Sequence, residues 1–263
     1  MMGWVRRGML AAVATTMIGG SVCAADKTAP IAPPVTTPSD PAQRYAACMQ
    51  LAKRRPTDAW EMALTWMGEG GGEPAEDCGD VALIGLKQYK EAARRLEELA
   101  TASHNEPQIR AGMLAQAGQA WILDGDPSRA YADQTAALKL TPAQPDLLID
   151  RAESSALGHS WQDAVVDLDQ AIGLAPNRAD AYTYRAAAKR ELSDLKGAAA
   201  DATQALALDP NSPDAWLEDG NVKRLAGDKT GAHKSWTQVL RLAPQSPAAD
   251  DARLNLEKLD VKQ

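Results

Sequence analysis

The sequence predicts an all-α protein built as a solenoid of antiparallel helix pairs, and three observations carry that prediction. Pro142, Pro176, Pro210 and Pro244 stand 34 residues apart, and the stretches beginning at Ala111, Pro145, Ala179 and Pro213 superpose without a gap. From Ala42 onward the composition is dominated by Ala, Leu, Glu, Lys, Gln and Arg, all good helix formers. Within the clearest stretch, Ala232, Trp236, Val239 and Leu242 recur at spacings of three and four, the apolar stripe of one helix face. Self-similarity at this period marks stacked helical hairpins, each too small to bury its apolar face without a neighbour. Such an array offers a binding surface rather than a reaction centre.

Residues 1–24 read as an export signal. Arg6 and Arg7 precede an apolar stretch from Gly8 to Ile18, closed by small residues through Ala24. That stretch is too short to span a bilayer. Val22 directly before Cys23 is a poor context for lipid attachment, and no Ser or Thr precedes the arginine pair, so Sec export is favoured over lipoprotein or twin-arginine routes. The expected location is periplasmic or secreted. Loss of Arg6 and Arg7 with the signal takes the net charge from −7 to −9. An acidic chain without a polybasic run excludes nucleic acid and anionic membrane surfaces as partners and favours a protein or peptide of basic character. No later apolar stretch reaches the ~18 residues of a membrane-spanning helix.

Residues 25–41, with Pro30, Pro33, Pro34, Pro38 and Pro41, are expected to form a flexible tether. Residues 42–106 hold two degenerate repeats. The first pairs a helix from Pro41 to Arg54 with one from Thr57 to Met67, followed by a loop at Gly70, Gly71 and Gly72; the second runs from Glu73 to Ala102, before an insertion from Ser103 to Glu106. Once Cys23 leaves with the signal, Cys48 and Cys78 are an even pair in an oxidising compartment, which predicts a disulfide. It would staple the first helices of these two poorest repeats. Residues 107–246 hold four good repeats, and residues 247–263 a single closing helix whose charged side caps the array.

The best repeat, Pro213 to Ser246, shows Trp216 early in its first helix, Gly220 four residues later, Gly227-Asp228 at the turn, Ala232 in the second helix and Pro244 at its end. This pattern closely resembles the tetratricopeptide repeat family. Tyr182 matches the aromatic, Gly118, Ala152 and Ala186 the small residue, Gly125-Asp126 the turn, and Ala130, Ala164 and Ala198 the close-contact alanine. The resemblance implies a right-handed solenoid of five to six repeats with a C-terminal capping helix. Arg151, Arg185 and Asp219 depart from it, standing where the family usually keeps Leu. The slot where Phe is common holds Gln134, Leu168, Ala202 and Trp236, so uneven packing is expected.

The same resemblance places the first helix of each repeat on a concave groove. Its implied peptide-binding residues are Gln119 and Ile122; Ile149, Asp150 and Glu153; Thr183, Tyr184 and Arg190; and Leu217, Glu218, Asn221 and Arg224. The family's basic clamp for a C-terminal carboxylate is missing, which disfavours a chaperone-tail adaptor. Mixed acids, amides, one aromatic and apolar residues suit an extended peptide or a partner's helix. Tyr184 and Trp121 are weighed as ligand platforms against ordinary packing.

Nothing in the sequence assembles a catalytic or metal centre. His104, His159 and His233 have no acid partner at ligand spacing, the Gly68 to Gly72 run lacks a phosphate-loop ending, and Ser154-Ser155 sit mid-helix without a nucleophile elbow. No enzyme activity and no cofactor are expected. The sequence therefore reads as an exported scaffold or adaptor binding an envelope protein or extended peptide. The alternative is an accessory subunit of a cell-wall or polysaccharide enzyme system, touching glycan or the enzyme.

Overall fold

The computed structural model describes residues 40–260. The expected signal at 1–24 and residues 25–39 of the expected tether lie outside them. The described residues form 13 helices: α1 (Pro41–Arg54), α2 (Pro56–Gly68), α3 (Gly72–Gly85), α4 (Tyr89–Ala102), α5 (Pro107–Asp124), α6 (Pro127–Leu140), α7 (Pro145–Leu157), α8 (Trp161–Leu174), α9 (Ala179–Glu191), α10 (Leu195–Leu208), α11 (Pro213–Leu225), α12 (Lys229–Leu242) and α13 (Pro247–Asp260). Odd-numbered helices are the first members of successive hairpins, even-numbered ones the second, and α13 closes the stack. The repeat expected from Ala111 starts its first helix earlier, at Pro107, where a missing amide costs nothing.

The five hairpins from α3 onward each turn through one left-handed residue: Lys87 (φ 63°), Gly125 (87°), His159 (62°), Ser193 (64°) and Gly227 (89°), whereas α1 and α2 join through Arg55 at φ −143°. The following amide reaches back five residues to close the helix, as Asp126 N–H does to Trp121 O at 2.9 Å and Asp228 N–H to Lys223 O at 2.9 Å. The sequence marks this turn only where Gly precedes Asp; His159 and Ser193 hold the same conformation. Asp126, Asp194 and Asp228 then cap the second helix, accepting from the amides of Arg129, Gly197 and Gly231 at 3.1, 2.9 and 2.8 Å. Such a cap contributes roughly 1 kcal/mol. Thr141, Ala175, Asp209 and Ala243 end the second helices in non-helical conformations, as a residue before proline must.

The helices of a hairpin meet where a small residue faces one 16 positions later. The pairs are Gly118 with Gln134, Ala152 with Leu168, Ala186 with Ala202, and Gly220 with Trp236. In the two glycine pairs the sizes compensate, whereas Ala186 and Ala202 are both small. A Cβ on Gly118 would stand 3.2 Å from the Gln134 side chain, and one on Gly220 would run into the Trp236 indole, which is fully buried. The large residues Gln134 and Trp236 in the uneven slot are therefore matched by a glycine opposite them.

The polar residues in the family's Leu position are matched in the same way. Arg151 donates two hydrogen bonds to Asp167 at 2.8 and 2.6 Å, and Arg185 two to Asp201 at 2.9 and 2.6 Å, each across 16 residues. Asp219 accepts from Ser235 Oγ and, at 2.6 Å, from Lys223 Nζ. Paired forks of this kind satisfy charges that would be costly if left alone.

Cys48 and Cys78 are joined, with Cα atoms 6.1 Å apart, and tie α1 to α3 beside buried Ala63. Closing this loop stabilises the fold by about 3 to 4 kcal/mol in the chain-entropy model. Cys48→Ser with Cys78→Ser should lower the melting temperature and bring protease cleavage first to α1 and α2; an unchanged melt would show that the staple contributes nothing.

Gly220→Ala should destabilise by about 1 to 3 kcal/mol through overpacking against Trp236. Adding Trp236→Leu recreates the Ala152–Leu168 pair, so the double variant should be more stable than the sum of the single changes allows. Strict additivity in chemical denaturation would refute the size-matching rule.

Candidate functional site

First helices of successive hairpins touch one another throughout the stack, whereas no comparable contact joins successive second helices among the described residues. A stack whose first helices lie closer together curves toward them. They therefore line its inner surface, and all the residues implied as binding groups lie on α5, α7, α9 and α11.

Their depths differ. Gln119, Ile122, Asp150, Tyr184 and Asn221 are half-buried and Arg224 is exposed. Ile149, Glu153, Thr183, Leu217 and Glu218 are buried. Ile149 belongs to the apolar cluster between α6, α7 and α8, and Leu217 to the one closed by α13. Thr183 Oγ1 donates to its own helix at Ala179 O, 3.0 Å away. The half-buried row is the accessible part of this surface, and the buried members lie behind it.

One polar chain runs along this wall. Arg190 Nε donates to Glu218 Oε1 at 2.6 Å, Asn221 Nδ2 to Glu218 Oε2 at 3.3 Å, and Asn255 Nδ2 to Asn221 Oδ1 at 3.1 Å. It ties α9, α11 and α13 side to side. Burial pushes the Glu218 carboxyl above its ordinary range, and the Arg190 guanidinium pulls it back. Asp146, in the first turn of α7, pairs with Arg178 at 2.6 Å. Glu218 and Asp146 are consequently answered from within the protein.

Trp121 offers no platform. It is 1% exposed, and its Nε1 donates to Glu97. Tyr184 packs partly into the central cluster. The aromatic that does show a ring is Tyr131, 39% exposed on the second helix α6, where sequence reasoning had not looked. It lies in a register where the other repeats carry Val165, Ala199 and His233, so no repeating signal marks it.

Among the described residues no group of three or more His, Cys, Asp or Glu side chains is placed to hold a metal ion, and no helix is long and apolar enough to cross a membrane. One carboxyl pair does share a hydrogen bond: Asp133 on α6 and Glu97 on α4. At Asp133 the register has Asp167 and Asp201 in the next two repeats, each answered by an arginine. Its own partner position is Ala117. Burial, then the neighbouring Glu97 charge, raise the Asp133 carboxyl to about 7. Only 8% of Asp133 is exposed, so the pair is enclosed between helices rather than presented to a substrate.

No protein-family model matches the sequence, and comparison with curated proteins gives no match. Solved structures match in fold. MamA from Desulfovibrio magneticus RS-1 is 23% identical over 64% of this chain and 93% of its own, with a TM-score of 0.55. A thermophilic TPR protein of Thermus thermophilus is 18% identical over 72% of this chain and 100% of its own, with a TM-score of 0.58. A chain of the APC/C hetero-tetramer Cut9-Hcn1 is 14% identical, covering 82% of this chain and 42% of its own, with a TM-score of 0.62. The chain has the tetratricopeptide-repeat fold that its period resembles.

The Asp133–Glu97 pair makes stability depend on pH in a definite direction. An unfolded aspartate titrates near about 3.9, whereas Asp133 in the folded chain keeps its proton to about 7. The native state binds the extra proton between these values, so this contribution is complete below about pH 4 and is lost as pH rises toward 7. Glu97→Gln removes the neighbouring charge and should flatten that decline in thermal melts across the range. An equally steep decline in the variant would remove Glu97 from the account.

Proposed function

We propose that this protein is an exported, periplasmic tetratricopeptide-repeat scaffold that holds an extended peptide or a helix of another envelope protein against the inner surface of its first helices. The observation that carries the reading is the row Gln119, Ile122, Asp150, Tyr184, Asn221 and Arg224, half-buried or exposed, on helices that touch one another along the stack. Ile122 and Tyr184 supply apolar contact, and the amides of Gln119 and Asn221 supply hydrogen bonds whose loss a wrong partner would feel. Export rests on the character of residues 1–24. Binding is the proposed activity, with no catalytic step and no cofactor.

A basic partner is supported by the overall net charge of −7 more than by the groove itself. Glu218 and Asp146 already face Arg190 and Arg178. Long-range attraction would then raise the rate of encounter, while recognition would fall to the half-buried aromatic, aliphatic and amide groups.

A photoreactive side chain placed at Gln119, Tyr184 or Arg224 in the native envelope should capture one dominant protein common to the three positions. The same group at Lys234, exposed on the second helix α12, should not. Capture equal at Lys234, or at none of the three, would overturn the groove reading.

A further inference from the structure

One wall position is short of a side chain. Residues 121, 155, 189 and 223 occupy the same register near the ends of α5, α7, α9 and α11. Trp121 fills it with an enclosed indole. Lys189 crosses to Asp201 at 2.8 Å, and Lys223 reaches Asp219 at 2.6 Å. In the remaining repeat the residue is Ser155. Beside it lies a half-open cavity of about 330 Å³ between the start of α6, the end of α7 and the start of α8. That lies at the lower end of small-molecule sites, roughly 300 to 1,000 Å³.

The lining is built for hydroxyl groups. Ser155 is 4% exposed, and its Oγ has no hydrogen-bond partner among the described residues. Leaving a buried hydroxyl unpaired is costly, and a rotation of the Ser155 side chain toward a ligand hydroxyl in the cavity would remove that cost. Ser160 stands where Asp126, Asp194 and Asp228 cap α6, α10 and α12, but its side chain makes no cap bond, so the first-turn amides of α8 lack a side-chain acceptor from it. Ser128 and Ser160 add groups that both donate and accept, and Asp163 adds a carboxylate acceptor. Tyr131 contributes its exposed ring, with the Arg151 guanidinium 5.6 Å from the ring centroid and itself fixed by Asp167.

Chemistry narrows the occupant. Asp163 and the acidic chain oppose an anion, so the uncapped amides alone do not make this an anion site. A purely apolar ligand would leave Ser155 Oγ unanswered. A ligand with several adjacent hydroxyls can donate to the carboxylate, exchange hydrogen bonds with the serines, and lay a C–H face on an aromatic ring. We propose that this cavity binds one sugar residue of a saccharide. The site draws on second helices α6 and α8 as well as the end of α7, so it stands independently of whatever occupies the inner surface.

The test is a titration of the isotope-labelled protein with N-acetylglucosamine and with glucose, followed through its amide resonances, with inorganic phosphate as the control. A sugar should shift Ser128, Ser155, Ser160 and Asp163 saturably while phosphate leaves them in place. Ser155→Lys installs the side chain of the two following repeats, with Asp167 placed to receive it as Asp201 receives Lys189, and should abolish the shifts while the far-ultraviolet circular dichroism is kept. Asp163→Asn should weaken sugar binding severalfold, and it carries the test if Ser155→Lys does not fold. No shift with either sugar, a larger response to phosphate, or sugar binding unchanged in a folded variant overturns the proposal.

Discussion

The close approach of the two helices within a hairpin governs this fold. A first helix can reach its second only where one of the facing residues gives way, and the chain solves that at a fixed offset of 16 residues. Gly220 yields to Trp236 and Gly118 to Gln134, whereas Ala152 and Leu168 share the space more evenly. Where the second-helix residue is large, the first-helix residue is small, as expected for interiors packed to crystal-like density, and at Ala186 with Ala202 both are small. This pairing explains how an array without phenylalanine still closes its hairpins.

The neighbouring register carries charge instead of volume. Arg151 with Asp167 and Arg185 with Asp201 repeat one ion pair in consecutive hairpins, and Asp219 keeps a polar contact there with Lys223 and Ser235. The pattern fails at Asp133, which faces Ala117 and finds another acid. A buried carboxyl lacking its cation becomes tolerable by holding a proton. One exchange of partner thus leaves this position losing stability as pH rises toward neutrality, where its neighbours keep their ion pairs.

Much of this architecture was legible in the sequence because it is written locally. The proline after each second helix, the aspartate at its start and the period between them act on adjacent backbone, and the observed ends of α10 and α12 follow those marks. The pairing of Cys48 with Cys78 was legible from their count together with the export expected from residues 1–24. What stayed hidden depends on residues that meet only after folding. Arg151 and Arg185 read as defects because the answering aspartates lie on another helix. Ile149, Glu153 and Glu218 read as groove contacts because the register places them on the inner helix, although the fold buries them. Ser155 is unremarkable in its own repeat and informative only beside Trp121, Lys189 and Lys223.

On the proposed reading, affinity along the inner surface depends on which of its groups are already satisfied. From Arg190 to Asn255 the side chains bond one another across α9, α11 and α13. A ligand polar group arriving there must displace an existing bond, so its net gain is small. Around Ile122 and Tyr184 a ligand removes apolar surface from water, and the gain scales with the area covered. Affinity should therefore concentrate in the middle repeats, and the C-terminal network should act as a rigid stop that fixes where a bound segment ends. Rigidity at one end and apolar contact at the other would give a bound peptide a direction without any charged clamp.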